Sequence, residues 1–135
     1  MKGSNPGRPI LAVNDLHKSF NGVHAVCGVS FEIMEGTVVG FIGANGSGKT
    51  TTMRMIATLE LPDSGEIEVA GWNAVDHPGA VRKLVGWMPD AYGAYAHMSV
   101  SDYLDFYARL GGLKGAAREE RVREVMAFAG LCALA

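Results

Sequence analysis

Cysteine is scarce: the 135 residues hold two, Cys27 and Cys132, far apart and outside any C-x-x-C pattern. This excludes a disulfide framework and a cysteine-built zinc or redox site, and reads as two small buried apolar residues in a reducing compartment. The four histidines, His17, His24, His77 and His97, show no ligand spacing such as H-x-x-x-H, so no histidine-built metal centre is expected. No apolar run approaches the roughly 20 residues that span a bilayer. The first residues, Met1-Lys2-Gly3-Ser4-Asn5-Pro6-Gly7, lack an apolar signal core and read as a loose tail. Direct membrane insertion is therefore not expected. An excess of positive charge is missing too: 12 basic against 14 acidic side chains leave a net charge of −2, which gives no support to a nucleic-acid or anionic-membrane surface. Arg118, Arg121 and Arg123 interleave with Glu119, Glu120 and Glu124 and read as a solvated helix face. There is no internal repeat and no low-complexity segment.

What remains is ordinary globular material, 48% apolar and 19% charged, with one exception. Residues 43–50 read Gly43-Ala44-Asn45-Gly46-Ser47-Gly48-Lys49-Thr50, a full match to G-x-x-x-x-G-K-[ST], the phosphate-binding loop of nucleotide-hydrolysing proteins. Glycines let successive N–H groups turn inward as an anion nest. Lys49 reaches the β- and γ-phosphates, the Thr50 hydroxyl is placed for Mg²⁺, and the following helix aims its positive end at the same anion. The context fits. Val38-Val39-Gly40-Phe41-Ile42 reads as a strand buried on both faces, and Thr51 to Ala57 reads as a helix with Met53, Ile56 and Ala57 on its apolar side.

Around this unit the chain has three zones. In the first, Leu11, Val13, Asp15 and His17 alternate as a strand, Asn21-Gly22 is a tight-turn pair, and Val29, Phe31 and Ile33 alternate as a second strand. Glu66 to Ala70 alternates after the turn Pro62-Asp63-Ser64-Gly65, giving an antiparallel layer over about 10–36 and 64–71. The second is the phosphate-loop core, about 37–63 and 80–90, with a helix-like stretch from Ala80 to Leu84 and a strand, Val85 to Met88, stopped by Pro89. The third, about 99–135, is helical. Ser99-Val100-Ser101-Asp102 resembles a capping box with Asp for Glu. Tyr103, Phe106, Tyr107 and Leu110 follow a core-facing stripe, Gly111-Gly112 ends that helix, and Ala116 to Ala129 forms another with Val122, Val125, Met126 and Ala129 on one face. The expected fold class is α/β: a P-loop NTPase core, an antiparallel β layer at the N-terminus and a partial helical subdomain, with residues 1–9 as a tail and 10–135 as one truncated domain.

Four segments carry a family resemblance: Leu16 to Gly22 with Ala25-Val26 and Gly28-Val29-Ser30-Phe31; the phosphate loop; Asp63-Ser64-Gly65-Glu66-Ile67 continuing to Gly71; and Val85-Gly86-Trp87-Met88-Pro89-Asp90 with the helical stretch from Met98. Their order and spacing over about 10–134 resemble the ATP-binding subunit of an ABC transporter. The resemblance implies ATP and Mg²⁺ as ligands. It implies that Phe20, which composition alone would assign to the core, stacks on adenine and that Val26 lines the nucleotide's other side. Asn45, Gly46, Ser47, Gly48 and Lys49 would wrap the phosphates, Thr51 would meet the α-phosphate, and Thr50 would hold the metal. Asp90 stands where the family usually has glutamine. Its shorter anionic side chain would ligate Mg²⁺ directly and repel phosphate when the metal is absent.

The family's Asp-Glu strand end, Leu-Ser-Gly-Gly-Gln signature and switch histidine do not appear after Asp90. The chain therefore reads as the N-terminal half of such a domain, with a gap in its parallel sheet. Such a piece would bind MgATP without hydrolysing it alone, Lys49 supplying charge stabilisation and the general base lying elsewhere. The implied partners are a transmembrane subunit and a second nucleotide-binding subunit in a head-to-tail dimer. The implied place is the cytoplasmic side of the cell membrane, and overall likeness leans toward export. The alternatives are a non-hydrolysing nucleotide-binding fragment and a different P-loop protein, a GTPase or kinase, although no Asn-Lys-x-Asp guanine reader is present. Three local decoys read otherwise. Ile10 to Asp15 precedes the loop and lacks Glu. Leu110-Gly111-Gly112 lacks the signature serine and closes a helix. Asp76-His77-Pro78-Gly79 follows no buried strand and reads as a turn.

Overall fold

The computed structural model describes residues 8–89, 93 and 97–131; the Asp90 and Cys132 readings lie outside them. The chain divides into two units, Met1–Met88 and Pro89–Ala135.

In the first unit, β1 (Leu11–Phe20) and β2 (Val23–Ile33) form a hairpin with Phe20 opposite Val23. Its turn, Asn21-Gly22, has φ of 49° and 82°, the two positive values a primed hairpin turn demands. β3 (Ser64–Val69) pairs antiparallel with β1, Val13 opposite Ile67, and the short β4 (Trp72–Asn73) pairs with β3, giving the order β2-β1-β3-β4. The expected antiparallel layer is present, but its alternation is not the simple one. Asp15 takes φ 45° and the register shifts between Val13 and Leu16. One residue is thereby inserted, and Leu16, fully buried, takes the inward position that strict alternation gave to Asp15 and His17. Gly65 makes this possible. A Cβ there would lie 2.3 Å from the Asp15 carbonyl oxygen, so no larger residue lets β3 approach the bulge.

The core gathers Val13 and Leu16 of β1, Val26 of β2, and Ile67 and Val69 of β3, with Ala74 and Val81. Helix α1 (Lys49–Ile56) adds Met55, and the four-residue α2 (Pro78–Val81) brings Val81. The buried side of α1 carries Thr52 and Met55, whereas Met53, expected inside, is 40% exposed. Cys27 is exposed as well, on β2 opposite His17, so its expected burial is corrected.

Neither expected central strand forms. Residues 38–42 and 85–88 lie in no strand, with Val38 and Ile42 essentially fully exposed and Met88 largely so. An extended segment becomes a strand only when a neighbour takes its N–H and C=O groups, and no strand pairs with either segment among the described residues. The sheet is incomplete where the sequence placed its parallel part.

The second unit is a helical hairpin of α3 (Val100–Leu110) and α4 (Gly115–Phe128). Ser99 caps α3 as expected, its Oγ accepting from the Asp102 N–H at 3.1 Å. The aspartate departs from a full capping box, since the Ser99 hydroxyl donates to the Asp102 carboxylate at 2.6 Å. Gly111 and Gly112 (φ 85°) close the helix. The expected core stripe is corrected at three of its four positions: Tyr103 is half-buried, but Phe106, Tyr107 and Leu110 are exposed, and Leu104 and Ala108 line, with Tyr107, a cleft of about 420 Å³ against Val122 and Val125 of α4. Packing against a single partner helix covers a narrower face than the full apolar stripe. The solvated-arginine reading also changes at one position. Arg118 turns into the hairpin, its Nε 2.7 Å from Asp105 Oδ1, while Arg109 holds the other carboxylate oxygen at 2.7 Å. Arg121 and Glu124 pair in solvent.

Candidate nucleotide-binding site

The glycine loop rises from the exposed segment ending at Ile42 and runs into the first turn of α1. Gly46 and Gly48 adopt φ of 80° and 84°, values that turn successive amides toward one side of the loop. Gly48 also permits contact with the sheet. A Cβ on it would stand 2.2 Å from the Ala25 carbonyl oxygen and 3.1 Å from Val26 Cγ2. The loop therefore rests on β2 at Ala25-Val26, and the strand fixes its height. Ser47 N–H donates to the Ala44 carbonyl at 3.2 Å, tightening the bend, and Thr52 N–H donates to the Gly48 carbonyl at 2.8 Å, the first bond of α1.

Lys49 folds back over this bend. Its ammonium donates to the Gly43 and Ala44 carbonyls at 2.6 and 2.7 Å. A cation held by neutral carbonyls has more to gain from an anionic oxygen, and among the described residues no carboxylate pairs with Lys49 in the bonds it makes, so the loop fits a polyphosphate. Asn45, Gly46, Ser47 and Thr50 are exposed, and Thr51 is half-buried. Thr50 lies in the first turn of α1, where its hydroxyl fits the metal-side role. Among the described residues no group of three or more His, Cys, Asp or Glu side chains is placed to hold a metal ion. A Mg²⁺ that keeps waters and phosphate oxygens as ligands requires no such group.

The other two expected contacts differ in exposure. Phe20, at the end of β1, is 44% exposed. Val26 is 3% exposed and belongs to the core beneath the loop, where it supports Gly48. Sequence reasoning missed Lys18. Its side chain is 12% exposed, its Nζ lies 3.1 Å from Asp63 Oδ1 and 3.3 Å from Glu60 Oε1, and it stands over the Phe20 ring at 5.2 Å from the centroid. The hydrogen bond with Asp63 raises the Lys18 pKa, with Glu60 adding to it. The Ser19 N–H, then Lys18, hold the Asp63 carboxyl below its ordinary range. The partners lie 45 residues apart, so no local pattern announces them.

A family model described as ABC transporter matches residues 26–135. The chain is 36% identical over 124 residues to the probable multidrug ABC transporter ATP-binding protein YbhF of Escherichia coli (strain K12), covering 90% of this chain and 22% of that protein. It is 34% identical over 123 residues to the Nod factor export ATP-binding protein I of Ralstonia nicotianae, covering 91% and 38%. It is 36% identical over 126 residues to the Fe(3+) ions import ATP-binding protein FbpC of Pseudomonas fluorescens, covering 90% and 34%. A solved structure of an ATP binding subunit of an ABC transporter superposes with a TM-score of 0.76 at 29% identity, over 90% of this chain and 51% of that one. The chain thus spans about half the length of the solved subunit and less of the curated relatives.

Proposed function

Because this chain belongs to the ABC transporter family, as an ATP-binding subunit, we propose that it binds MgATP and that the bound nucleotide serves an ATPase powering membrane transport. The observation that carries the reading is the Lys49 ammonium folded across a glycine loop seated on β2, with, among the described residues, only neutral carbonyls as its bonded partners. In this reading Asn45 to Lys49 enclose the β- and γ-phosphates, Thr51 meets the α-phosphate and Phe20 stacks on the adenine. Thr50 and Asp90 hold Mg²⁺. The metal, when bound, spreads the negative charge of the phosphates.

Lys49 exchanges its two carbonyl bonds for phosphate oxygens, and the main-chain amides of the loop add directed donors. These groups position the phosphates and stabilise charge that grows as the terminal bond weakens. They supply no base for water, so hydrolysis draws on groups outside this set, and a head-to-tail pairing of two such subunits would bring them. A transmembrane subunit would couple the cycle to transport at the cytoplasmic face of the membrane. Among the described residues no helix is long and apolar enough to cross a membrane itself. The relatives named for export and for import stand at similar identity, so transport, rather than the export expected from overall likeness, is the statement they support together. Family membership sets aside the GTPase and kinase readings.

Competition of a fluorescent ATP analogue against ATP and GTP, with Mg²⁺ and with EDTA, tests this reading. ATP should displace the probe, and GTP should do so no better than ATP, because a stacking ring with no guanine reader offers no guanine-specific contact. Displacement by GTP alone, or none by either, would refute it. Asp90 adds a finer expectation: Asp90→Gln should change the ratio of affinities with and without Mg²⁺ by more than about twofold, and an unchanged ratio removes Asp90 from the metal site.

A further inference from the structure

We infer that Lys18 is a positioning residue for the Phe20 ring, locked by Asp63 and Glu60 so that the base of the nucleotide meets a platform already set; this rests on the MgATP reading above.

Phe20 needs such a support. The β1–β2 register shifts between Lys18 and Ser19 before resuming with Phe20 opposite Val23, so the strand is irregular immediately ahead of the ring. Asp63 takes over there. Its Oδ2 accepts the Ser19 N–H at 2.7 Å, its Oδ1 accepts from Lys18 Nζ at 3.1 Å, and its own N–H donates to the His17 carbonyl at 2.9 Å. One residue of the turn before β3 thus grips three consecutive residues ahead of the ring. Lys18 passes that grip on to Phe20, its ammonium standing on the ring face at 5.2 Å from the centroid, within cation–π range. An ammonium on one face draws electron density from the ring and favours a stacked purine on the opposite face. Register ties the device to the phosphate loop: Lys18 pairs with Val26, the residue against which Gly48 packs. Lys18 does not itself suit phosphate. With Asp63 and Glu60 both in contact, the trio carries a net negative charge and repels an anion.

The role separates base affinity from phosphate affinity. MgATP and magnesium tripolyphosphate are titrated calorimetrically into the full chain, wild type and variants. Lys18→Met keeps the aliphatic stem and removes the charge. It should weaken MgATP more than about twofold and at most about 30-fold, the ceiling set by a full cation–π contact, while tripolyphosphate changes less than about twofold. Lys18→Arg, which keeps a cation and both carboxylate partners, should recover most of the loss. Asp63→Asn keeps an acceptor for Ser19 and removes one of the two ion pairs of Lys18, leaving Glu60, so it gives the same sign with a smaller loss and serves if Lys18→Met does not fold. An equal loss on both ligands, or an unchanged ratio, overturns the inference and leaves the MgATP reading standing. A folded wild type that binds neither ligand overturns both.

Discussion

At the residue scale the site depends on two glycines and a lysine whose tasks are different. Gly48 is fixed by space and by backbone: φ is 84° and a Cβ would meet the Ala25 carbonyl. Gly48→Ala should therefore cost at least about 1–3 kcal/mol and lift the loop off β2. Urea denaturation should show lower stability, and MgATP binding should be lost with it. A variant as stable as wild type would mean the loop does not rest on the strand. Gly46, with φ 80° and open space around it, should tolerate alanine better in packing and pay only the backbone penalty. The Lys18–Asp63 pair makes a pH prediction. Asp63, lowered by the Ser19 N–H and Lys18, contributes stability that is present above its unfolded pKa and is lost as pH falls through the lowered folded value. Lys18, raised mainly by Asp63, contributes below its unfolded pKa and loses it as pH rises through the raised value. The stability difference between wild type and Asp63→Asn should thus hold steady at neutral pH and shrink in acid below about pH 4. A difference that grows on acidification contradicts the assignment. The turn of the glycine loop was legible because Gly46 and Gly48 answer a local backbone requirement, a positive φ at each. Lys18 was not, because its partners are assembled by the turn of a distant strand.

At the element scale, local signals were read well where local chemistry decides and poorly where neighbours do. The Asn21-Gly22 turn, the Ser99 cap and the Gly111-Gly112 stop each depend on a few adjacent residues, and each stands where the sequence put it. Strand 38–42 depends on partners, and without them the same apolar residues lie in no ladder. The inserted residue at Asp15 moved burial to Leu16, a change hidden in sequence because it is set by the approach of Gly65. The α3 stripe held only in part for a related reason, since Tyr103, Leu104 and Ala108 are half-buried while Phe106, Tyr107 and Leu110 stay exposed. The cap gives an element-scale test. Ser99→Ala removes the acceptor of the Asp102 N–H and should lower the stability of the helical hairpin by about 1 kcal/mol, read from urea denaturation followed at 222 nm. A loss under about 0.3 kcal/mol would show that the cap is solvated rather than stabilising.

At the scale of the whole molecule, the antiparallel sheet and its small core must carry exposed apolar chain. Val38, Ile42 and Met88 lie in solvent, on segments whose backbone groups no described strand pairs. Such segments invite pairing with another chain. Residues 1–135 by themselves should therefore be marginally stable, and sedimentation velocity at rising concentration should reveal association. A sharp, reversible, purely monomeric melt without ligand would contradict this. Binding to the native loop should raise stability by mass action, which links the exposed sheet to the site. The most direct test of the account is a calorimetric titration of MgATP into folded wild-type chain beside Lys49→Ala. Saturable heat in the wild type, weakened at least about tenfold by the variant, is the predicted result. No heat of binding in the folded wild type, or equal affinity in the two proteins, would contradict the claim that this loop holds a nucleotide.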